Sequence, residues 1–393
     1  MRTLVAQGAA RVHRRPKRIV VATDSFKGTL SSLQAGRAIR AGVLRIWPDA
    51  EVVVIPMADG GEGTVEAVLT GAGGRACEIR VSGPLGEPVT AVFGLLHDGR
   101  TAVIEMAASS GLSLVPVDRR DPTRTSTFGT GRQMAAAMDA GATRLLVGIG
   151  GSATVDGGCG AAQALGVRFL AVDGSVLPPG LAGGDLDRIA RIDISRRDPR
   201  LDHVEVTVLC DVTNPLCGPQ GAAEVFGPQK GATPEQVSRL DRNLLHMARV
   251  IESDLGVAVA DMPGAGAAGG LGAGLVAMAG AKLRSGVESV IRLTRLSDRI
   301  RGADLVITGE GRIDAQSLMG KAVSGVARCA RQAGVRVVAV VGSAGPGAEQ
   351  CLSILNGIYA ASGPEEPVPR TPEHAMRLLT DRTARQLAGW DLG

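Results

Sequence analysis

The sequence predicts an α/β fold in two domains, one built on a parallel sheet and the other of mixed α/β structure. Length is the first observation, because 393 residues exceed what a single hydrophobic core usually supports. The second is a unit that recurs along the chain, in which an apolar run precedes a Gly-rich polar loop and an amphipathic helical pattern. The third is residues 79–106, where strand patterns are joined by Gly-Pro and Asp-Gly turns that indicate antiparallel pairing.

Two of the recurring units occupy residues 18–77. Strands predicted at 18–22 and 51–55 each lead into a polar Gly-rich loop and then into a helix. Thr29 or Ser31 can cap the first of these helices. Successive units of strand, loop and helix are typical of a parallel sheet.

The same alternation returns in residues 289–393, so we predict one discontinuous domain formed by 18–77 together with 289–393. A mixed α/β domain, residues 78–288, is inserted in it. Residues 1–17 carry Lys and Arg but no acidic residue, and they are predicted to be a disordered basic extension.

The loop at residues 148–158 is a candidate anion site. It follows an apolar run at 145–147 and contains five glycines with Ser, Thr and Asp between them. Backbone N–H groups of such a loop can close around an anion, and a helix predicted from about residue 161 would direct its positive end towards it. Phosphate is the first candidate ligand and carboxylate the second, while a purely structural turn is the alternative.

Two segments also match the dinucleotide-binding fingerprint. Residues 148–153 fit Gly-x-Gly-x-x-Ala with Asp173 about twenty positions further on, and residues 264–269 fit Gly-x-Gly-x-x-Gly without a clear strand before them. An NAD-dependent oxidoreductase is therefore an alternative function. The sequence contains neither a Walker A motif nor the protein-kinase motifs, which excludes those two classes of nucleotide-binding enzyme.

Acidic and polar side chains cluster where the predicted strands end. In an open parallel sheet these carboxyl ends form the binding crevice. The side chains found there are Asp24, Ser25, Lys27, Asp59, Glu62, Asp156, Asp211, Asn214, Glu310, Arg312 and Asp314. Carboxylates beside an anion loop suit Mg²⁺, whose coordination shell phosphate oxygens complete, so the set favours phosphoryl transfer over hydride transfer.

Several of these residues also have a structural interpretation. Asp24 can cap the first helix, and Asp156 can form an Asx turn. Asp211 and Asn214 can brace the turn that follows their strand. Lys230 can reach a phosphate or remain in water.

Composition narrows the class of protein further. Aromatic residues make up 2% of the chain and the net charge is +4, so no nucleic-acid partner is expected. Six scattered cysteines without a C-x-x-C pair indicate reduced thiols in a cytoplasmic protein. No apolar run approaches the roughly eighteen residues of a membrane span, so no membrane partner is expected.

Ten segments, taken together and in order, resemble the type 1 glycerate kinase family. They are Asp-Ser-Phe-Lys-Gly (24–28), Met-Ala-Asp-Gly-Gly-Glu-Gly-Thr (57–64), Gly-Pro-Leu-Gly-Glu-Pro-Val (83–89), Ala-Val-Ile-Glu-Met-Ala-Ala (102–108), Thr-Ser-Thr-Phe-Gly-Thr-Gly (125–131), Gly-Gly-Ser-Ala-Thr (150–154), Cys-Asp-Val-Thr-Asn-Pro-Leu (210–216), Phe-Gly-Pro-Gln-Lys-Gly-Ala (226–232), Pro-Gly-Ala-Gly-Ala-Ala-Gly-Gly-Leu-Gly (263–272) and Thr-Gly-Glu-Gly-Arg-Ile-Asp (308–314). Val155 stands where the family usually has Asn, Ser317 stands where Thr is common, and residues 1–17 have no counterpart.

The resemblance implies a kinase that uses ATP and Mg²⁺ to phosphorylate D-glycerate at the 2-hydroxyl. The alternatives are 3-phosphoglycerate as the product, a related small hydroxy acid as the substrate, or a non-catalytic protein that binds a small anion. The resemblance also implies a flavodoxin-like three-layer domain with a parallel sheet, a second mixed α/β domain inserted in it, and an active site in the cleft between them. A monomer or homodimer is expected.

Roles follow from this resemblance as hypotheses. The ATP phosphates would be held by Gly150, Gly151, Ser152, Thr154, Gly264, Gly266, Gly269 and Gly270. Mg²⁺ would be shared by Asp156, Asp211, Glu310 and Asp314. Lys27 and Arg312 would bind the glycerate carboxylate or neutralise the transferring phosphoryl group, and Asp211 or Asp314 would accept the hydroxyl proton. Further contacts to the substrate are expected from Asp24, Ser25, Asp59, Glu62 and Asn214.

Overall fold

The computed structural model describes residues 4–5, 15–318, 321–362, 369 and 371–388. Most of the predicted extension at 1–17 lies outside the described residues, and within it Leu4–Val5 form a short strand. Among the described helices, none combines the length and the apolar character that crossing a membrane requires.

Strands and helices alternate along most of the described chain. The strands are β1 Leu4–Val5, β2 Arg18–Thr23, β3 Glu51–Val54, β4 Gly74–Ser82, β5 Pro88–Leu96, β6 Thr101–Glu105, β7 Arg144–Gly148, β8 Arg168–Leu170, β9 Arg191–Asp193, β10 Glu205–Leu209, β11 Lys282–Arg284, β12 Leu305–Gly309, β13 Arg312–Ile313, β14 Arg336–Val341, β15 Ser343–Ala344 and β16 Gly357–Ala360. The helices are α1 Ser32–Ile46, α2 Thr64–Ala72, α3 Ala107–Ser110, α4 Phe128–Asp139, α5 Cys159–Ala164, α6 Ala222–Phe226, α7 Pro234–Leu255, α8 Leu271–Ala279, α9 Gly286–Leu293, α10 Leu296–Ile300, α11 Ala322–Gln332 and α12 Pro372–Leu387.

The chain folds into two compact units. Unit 1 consists of the described residues of Met1–Asp59, Glu66–Ala72 and Val287–Gly393. Unit 2 consists of Gly60–Val65 and Gly73–Gly286. Each unit is therefore assembled from more than one stretch of the chain.

The main sheet of unit 1 has the strand order β1-β16-β14-β12-β2-β3. β1 pairs antiparallel with β16, and every other neighbouring pair is parallel. Numbered along the chain, the parallel strands lie in the order 2-1-3-4-5, which is the order of flavodoxin-like sheets. The order reverses between β2 and β12, so these two strands flank the switch point at which such sheets bind ligands.

Packing in unit 1 follows from the apolar patterns of its strands and helices. Every residue of β12 is buried, as expected for a central strand covered on both faces. Ser31 caps α1 and forms a capping box with Gln34, so the prediction of a cap at Thr29 or Ser31 is confirmed for Ser31. The apolar core of this unit also contains Trp47, at the end of α1, and Tyr359, in β16.

Unit 2 contains a mixed sheet with the strand order β11-β10-β7-β6-β5-β4. The strands β4, β5 and β6 pair antiparallel, which confirms the pairing predicted for residues 79–106. From β6 to β11 the neighbouring strands are parallel. The carboxyl ends of β6, β7 and β10 therefore lie along one edge of the sheet.

Helix α7 supplies much of a second apolar core of unit 2, which is separate from the core that contains the strands of this sheet. Thr233 caps it in a capping box with Gln236, Pro234 occupies its first turn, and Gly256 ends it with a φ of 69°. Its buried residues Val237, Leu240 and Leu244 belong to a core cluster that also includes Phe169 and Leu186. Helix α7 is thus the amphipathic helix that the spacing of its apolar residues predicts.

Candidate active site

Asp24 lies at the switch point of the unit 1 sheet, directly after β2. Its backbone N–H donates to the carbonyl oxygen of Gly309, at the end of β12, over 2.8 Å. The N–H of Ser25 donates to Oδ1 of Asp24 over 2.7 Å. Because Ser31 caps α1, the interpretation of Asp24 as a helix cap is wrong. The half-buried carboxyl group lies instead at the sheet edge where ligands bind.

The charge state of Asp24 is set by its surroundings. Burial, and then the negative charge of Asp59, raise the pKa of the Asp24 carboxyl from 3.8 to about 7, while the positive charge of Lys27 opposes this shift. A carboxyl group with a pKa near neutrality can accept a proton in the physiological range. Asp24 can therefore exchange a proton near neutral pH, whereas the sequence analysis expected Asp211 or Asp314 to accept the hydroxyl proton.

Glu310 follows β12 on the other side of the switch point and is 9% exposed. Its Oε1 atom is buried and accepts no hydrogen bond from any described residue. Burial raises the pKa of the Glu310 carboxyl, whereas a hydrogen bond from Ser317 and the charge of Lys321 lower it. A buried carboxylate oxygen without a donor is unfavourable, so this position suits a bound cation.

Charged residues surround these two acids. Lys27 and Arg312 are exposed and Asp314 is half-buried. The charge of Lys27 lowers the pKa of both Asp24 and Glu310, and the charge of Asp314 raises that of Glu310. These couplings place the predicted acids of unit 1 in one electrostatic cluster. Oδ1 of Asp314 also accepts the N–H of the residue two positions on, over 2.9 Å, as in an Asx turn.

Asp156, predicted as a metal ligand, lies in the interior of unit 2 with no exposed surface. Its Oδ2 accepts the backbone N–H and the hydroxyl group of Thr127, over 2.8 and 2.7 Å, and the N–H of Gly160 over 3.2 Å. Its Oδ1 accepts the N–H of Gly158 over 3.2 Å. Burial raises the pKa of the Asp156 carboxyl, and these four donors oppose the shift. The first N–H groups of α5 therefore bind this carboxylate, which corrects the prediction that the helix directs them at an external anion.

The two Gly-rich loops of unit 2 pack against each other backbone to backbone. Gly157 donates its N–H to the carbonyl oxygen of Gly269 over 3.0 Å. A Cβ atom on Gly269, whose φ is 68°, would lie 2.0 Å from the carbonyl oxygen of Thr154. Close approach therefore accounts for glycine in the segment that matches the dinucleotide fingerprint. Only the tip of the first loop, at Gly150 and Gly151, has substantial exposure, because every residue from 152 to 160 is buried.

The other predicted residues of unit 2 take part in local contacts. Oδ1 of Asp211 accepts the hydroxyl group of Ser285 over 2.6 Å and the N–H at the start of α9 over 3.0 Å. Nδ2 of Asn214 donates to the carbonyl oxygen of Gln220 over 2.8 Å, which braces the turn as its structural interpretation predicts. The exposed Glu62 accepts the hydroxyl group of Ser113 over 2.8 Å.

Sequence reasoning missed the part played by three residues. Lys230 is buried rather than solvated, and Thr127 donates twice to Asp156. Lys321 acts electrostatically on Glu310. All three lie in or just after the segments that carry the family resemblance, which is the signal that could have pointed to them. Val155, where the family usually has Asn, is buried in the apolar core of unit 2.

Any metal site in the described residues draws few of its ligands from the protein. Within the described part of the chain, no group of three or more His, Cys, Asp and Glu side chains is arranged to hold a metal ion. Mg²⁺ in phosphoryl-transfer enzymes commonly takes one or two carboxylates, with phosphates and waters as its remaining ligands. One or two acids at the end of β2 or β12 are compatible with that arrangement.

Comparison with known proteins shows to which family this chain belongs. A sequence model of the family described as "Glycerate kinase family" matches residues 19–390. The chain belongs to the glycerate kinase family. This assignment confirms the resemblance that the ten segments carry, and it is an assignment to a family of kinases.

Two glycerate kinase relatives match over most of their length. The glycerate kinase of Halalkalibacterium halodurans is 52% identical over 343 residues, which are 87% of this chain and 89% of the relative. The glycerate 2-kinase of Escherichia coli strain K12 is 50% identical over 326 residues, which are 83% of this chain and 85% of the relative.

A solved structure supports the same glycerate kinase assignment. The crystal structure of a protein described as glycerate kinase 2, from Salmonella typhimurium LT2, is 45% identical to this chain and has a TM-score of 0.80. The match covers 95% of this chain and 98% of that one. The predicted mixed α/β fold with parallel sheets is thereby confirmed.

Proposed function

We propose that this chain transfers the γ-phosphoryl group of ATP to the 2-hydroxyl group of glycerate, giving 2-phosphoglycerate and ADP. The pair Asp24 and Glu310 carries the proposal, because both carboxyl groups have a raised pKa and both lie at the switch point of the unit 1 sheet. Membership of the glycerate kinase family supports glycerate as the substrate and ATP as the co-substrate. The name of the Escherichia coli relative supports the 2-position.

Asp24 is the group that accepts or orients the proton of the attacking hydroxyl. Its pKa of about 7 leaves a large fraction of the carboxyl group ionised at neutral pH and able to take the proton. An alcohol is a far weaker acid than any carboxylic acid, so the position of Asp24 contributes more to the rate than its basicity does. Asp211 and Asp314 remain candidates for a supporting role.

The residues at the end of β12 fit Mg²⁺. Oε1 of Glu310 is buried without a donor among the described residues, and Asp314 adds negative charge beside it. We propose that these two carboxylates hold the ion, which when bound neutralises charge on the phosphate oxygens of ATP. Asp156 is not proposed as a ligand of the ion, because its carboxylate oxygens already accept four hydrogen bonds inside unit 2.

Three cations follow the same strand ends in the chain, and two of them, Lys27 and Lys321, lower the pKa of these acids. Lys27 and Arg312 are exposed, so their side chains are available to the carboxylate of glycerate. Lys321 acts on Glu310 and is placed to neutralise charge on the transferring phosphoryl group. Removal of any of these charges should weaken substrate binding or lower the rate without unfolding the protein.

The exposed tip of the loop, at Gly150 and Gly151, is proposed to hold a phosphate group of ATP. The second Gly-rich loop, 264–272, supports the first loop from inside unit 2, as the hydrogen bond between Gly157 and Gly269 indicates. The domain boundaries at 18–77 with 289–393 and at 78–288, and an active site in a cleft between the two domains, stay predictions.

ADP release from ATP, D-glycerate and Mg²⁺ tests the proposed function, with the product passed to enolase, which consumes 2-phosphoglycerate but not 3-phosphoglycerate. Glycerate-dependent ADP release with an enolase signal is the expected result. ADP release without that signal would assign the product to 3-phosphoglycerate. Folded protein that releases no glycerate-dependent ADP would overturn the proposal, and other small hydroxy acids and then NAD would be tested.

A further inference from the structure

Behind the loop at 150–154 lies a buried cation, Lys230, which is 2% exposed. Its Nζ atom donates to Oγ of Ser152 and to the carbonyl oxygen of Thr154, both over 2.7 Å. A lysine with this little exposure cannot be the solvated surface charge that the sequence allows. Both of its hydrogen bonds go to the loop that is proposed to hold a phosphate group.

The backbone around Lys230 keeps the ammonium group in place. Lys230 ends a 3-10 turn, Pro228–Lys230, and its N–H donates to the carbonyl oxygen of Gly227 over 3.0 Å. Gly231 follows with a φ of 95°, and a Cβ atom there would lie 2.3 Å from the carbonyl oxygen of Arg120. A side chain at this position would be strained and would clash with that oxygen, so glycine lets the turn pack directly against the backbone at Arg120. The turn that carries Lys230 is thus closely packed within unit 2.

The loop is also held by a second segment of unit 2. Leu112 donates its N–H to the carbonyl oxygen of Gly151 over 2.8 Å, and Ala153 donates to that of Ser110 over 2.9 Å. Between these contacts Gly151 is exposed, with a φ of 76°. With Lys230 bonded to Ser152 and Thr154, the loop is fixed at several points and presents Gly151 to solvent.

The hydrogen bonds of Lys230 show what its amine does in the structure. Both go to oxygen atoms of the loop, the hydroxyl group of Ser152 and the carbonyl group of Thr154, so the amine ties these two positions of the loop together. Burial lowers the pKa of Lys230 to about 7, while the charge of Asp156 raises it. The N–H groups at Gly158 and Gly160 bind Asp156 and so are not available to a ligand. Lys230 therefore holds the loop at Ser152, the residue next to the exposed tip at Gly151.

We infer that Lys230 is a positioning residue of the nucleotide site, which orients Ser152, fixes the backbone at Thr154 and sets the loop to receive a phosphate group of ATP. This inference rests on the proposed function. Lys230 is assigned as a positioning residue and not as a catalytic one, because its side chain is buried and donates its hydrogen bonds to the loop. Its effect is therefore expected in ATP binding and not in glycerate binding.

Kinetics of Lys230→Met, Ser152→Ala and the double variant test the inference. Lys282→Met is the matched control, because Lys282 is an exposed lysine of the same unit. We expect Lys230→Met to raise the KM for ATP at least about tenfold while the KM for glycerate and kcat change less than about threefold. Ser152→Ala should give a smaller rise, because it removes one of the two hydrogen bonds of Lys230. Adding Ser152→Ala to Lys230→Met should have little further effect, because the contact between the two residues is already lost. Calorimetric titration with ADP should show the same order of affinities.

Each result bears on the inference. Folded Lys230→Met with a KM for ATP within twofold of the wild-type value would overturn it, as would equal losses for ATP and glycerate. If Lys230→Met does not fold, Ser152→Ala decides, and an unchanged KM for ATP in that variant would overturn it too. Wild-type protein that binds ADP but phosphorylates no glycerate would sink the proposed function and leave the calorimetric test of Lys230 intact.

Discussion

Replacing Asp24 with Asn should make the protein more stable and less active. In the unfolded chain the carboxyl group ionises near pH 3.8, but in the folded protein it ionises near pH 7. The folded state therefore holds the proton more tightly than the unfolded state between these values. The protein loses none of its stability to this group below pH 3.8. It loses stability as the pH rises towards 7, because the ionised carboxylate is disfavoured by burial and then by the negative charge of Asp59.

The size of the effect follows from the shift in pKa. A change of one in the pKa corresponds to about 1.4 kcal/mol of free energy. The shift from 3.8 to about 7 therefore lowers the free energy of unfolding by about 4 kcal/mol at most. About 2.5 kcal/mol of that change falls between pH 5 and pH 8, by the linkage relation. Asparagine does not ionise. The difference in unfolding free energy between Asp24→Asn and the wild type should therefore increase by about 2.5 kcal/mol from pH 5 to pH 8.

Urea unfolding at pH 5 and pH 8, followed by circular dichroism in the presence of EDTA, measures this difference. The chelator matters because a bound cation would lower the pKa of Asp24. Asp118→Asn, at an exposed aspartate, is the matched control and should track the wild type at both pH values. A variant no more stable than the wild type at pH 8, or a stability difference that does not change with pH, would refute the reasoning. The same variant should lose at least about a hundredfold in kcat, because its amide cannot accept the hydroxyl proton.

Three further predictions concern activity and packing. The value of kcat/KM should fall as the pH drops below about 7, because Asp24 becomes protonated. Asp59→Asn should move this fall to lower pH, because it removes a negative charge that raises the pKa of Asp24. A pH profile that does not move would contradict the coupling between the two acids. Glu310→Gln should raise the Mg²⁺ concentration needed for half-maximal activity and lower kcat at least about a hundredfold. An unchanged Mg²⁺ requirement would mean that other acids bind the ion. Gly269→Ala should destabilise the protein by about 3 kcal/mol or more, and the control Gly280→Ala by about 1 kcal/mol. Both glycines have positive φ, but only Gly269 lies against a backbone carbonyl group. Equal shifts of the unfolding midpoint in the two variants would argue against this close approach.

The parts of the fold that were predictable are those encoded by local patterns. The buried strands β2, β7 and β12 follow from apolar runs, and the cap at Ser31 follows from its place before a helical pattern. The strands β8 and β11, of three residues each, are too short to show a period and were not predicted.

The candidate site was predictable only in part, because its chemistry depends on contacts between distant residues. The spacing of strand ends brought Asp24 and Glu310 into one candidate list. The spacing did not reveal which acid has the raised pKa, because burial and neighbouring charges determine that. Asp156 contacts Thr127 across 29 positions, and Lys230 contacts Ser152 across 78, and no sequence pattern records such pairs.

The placement of Trp47 and Tyr359 in the core of unit 1 has a practical consequence for spectroscopy. The chain contains two tryptophans and one tyrosine, and none of them lies in the sequence of unit 2. The absorbance and fluorescence of tryptophan and tyrosine therefore come from unit 1, while far-ultraviolet circular dichroism reports both units. Comparing the two signals during unfolding separates a change at Asp24, which belongs to the fluorescent unit, from a change at Lys230, which belongs to the silent one.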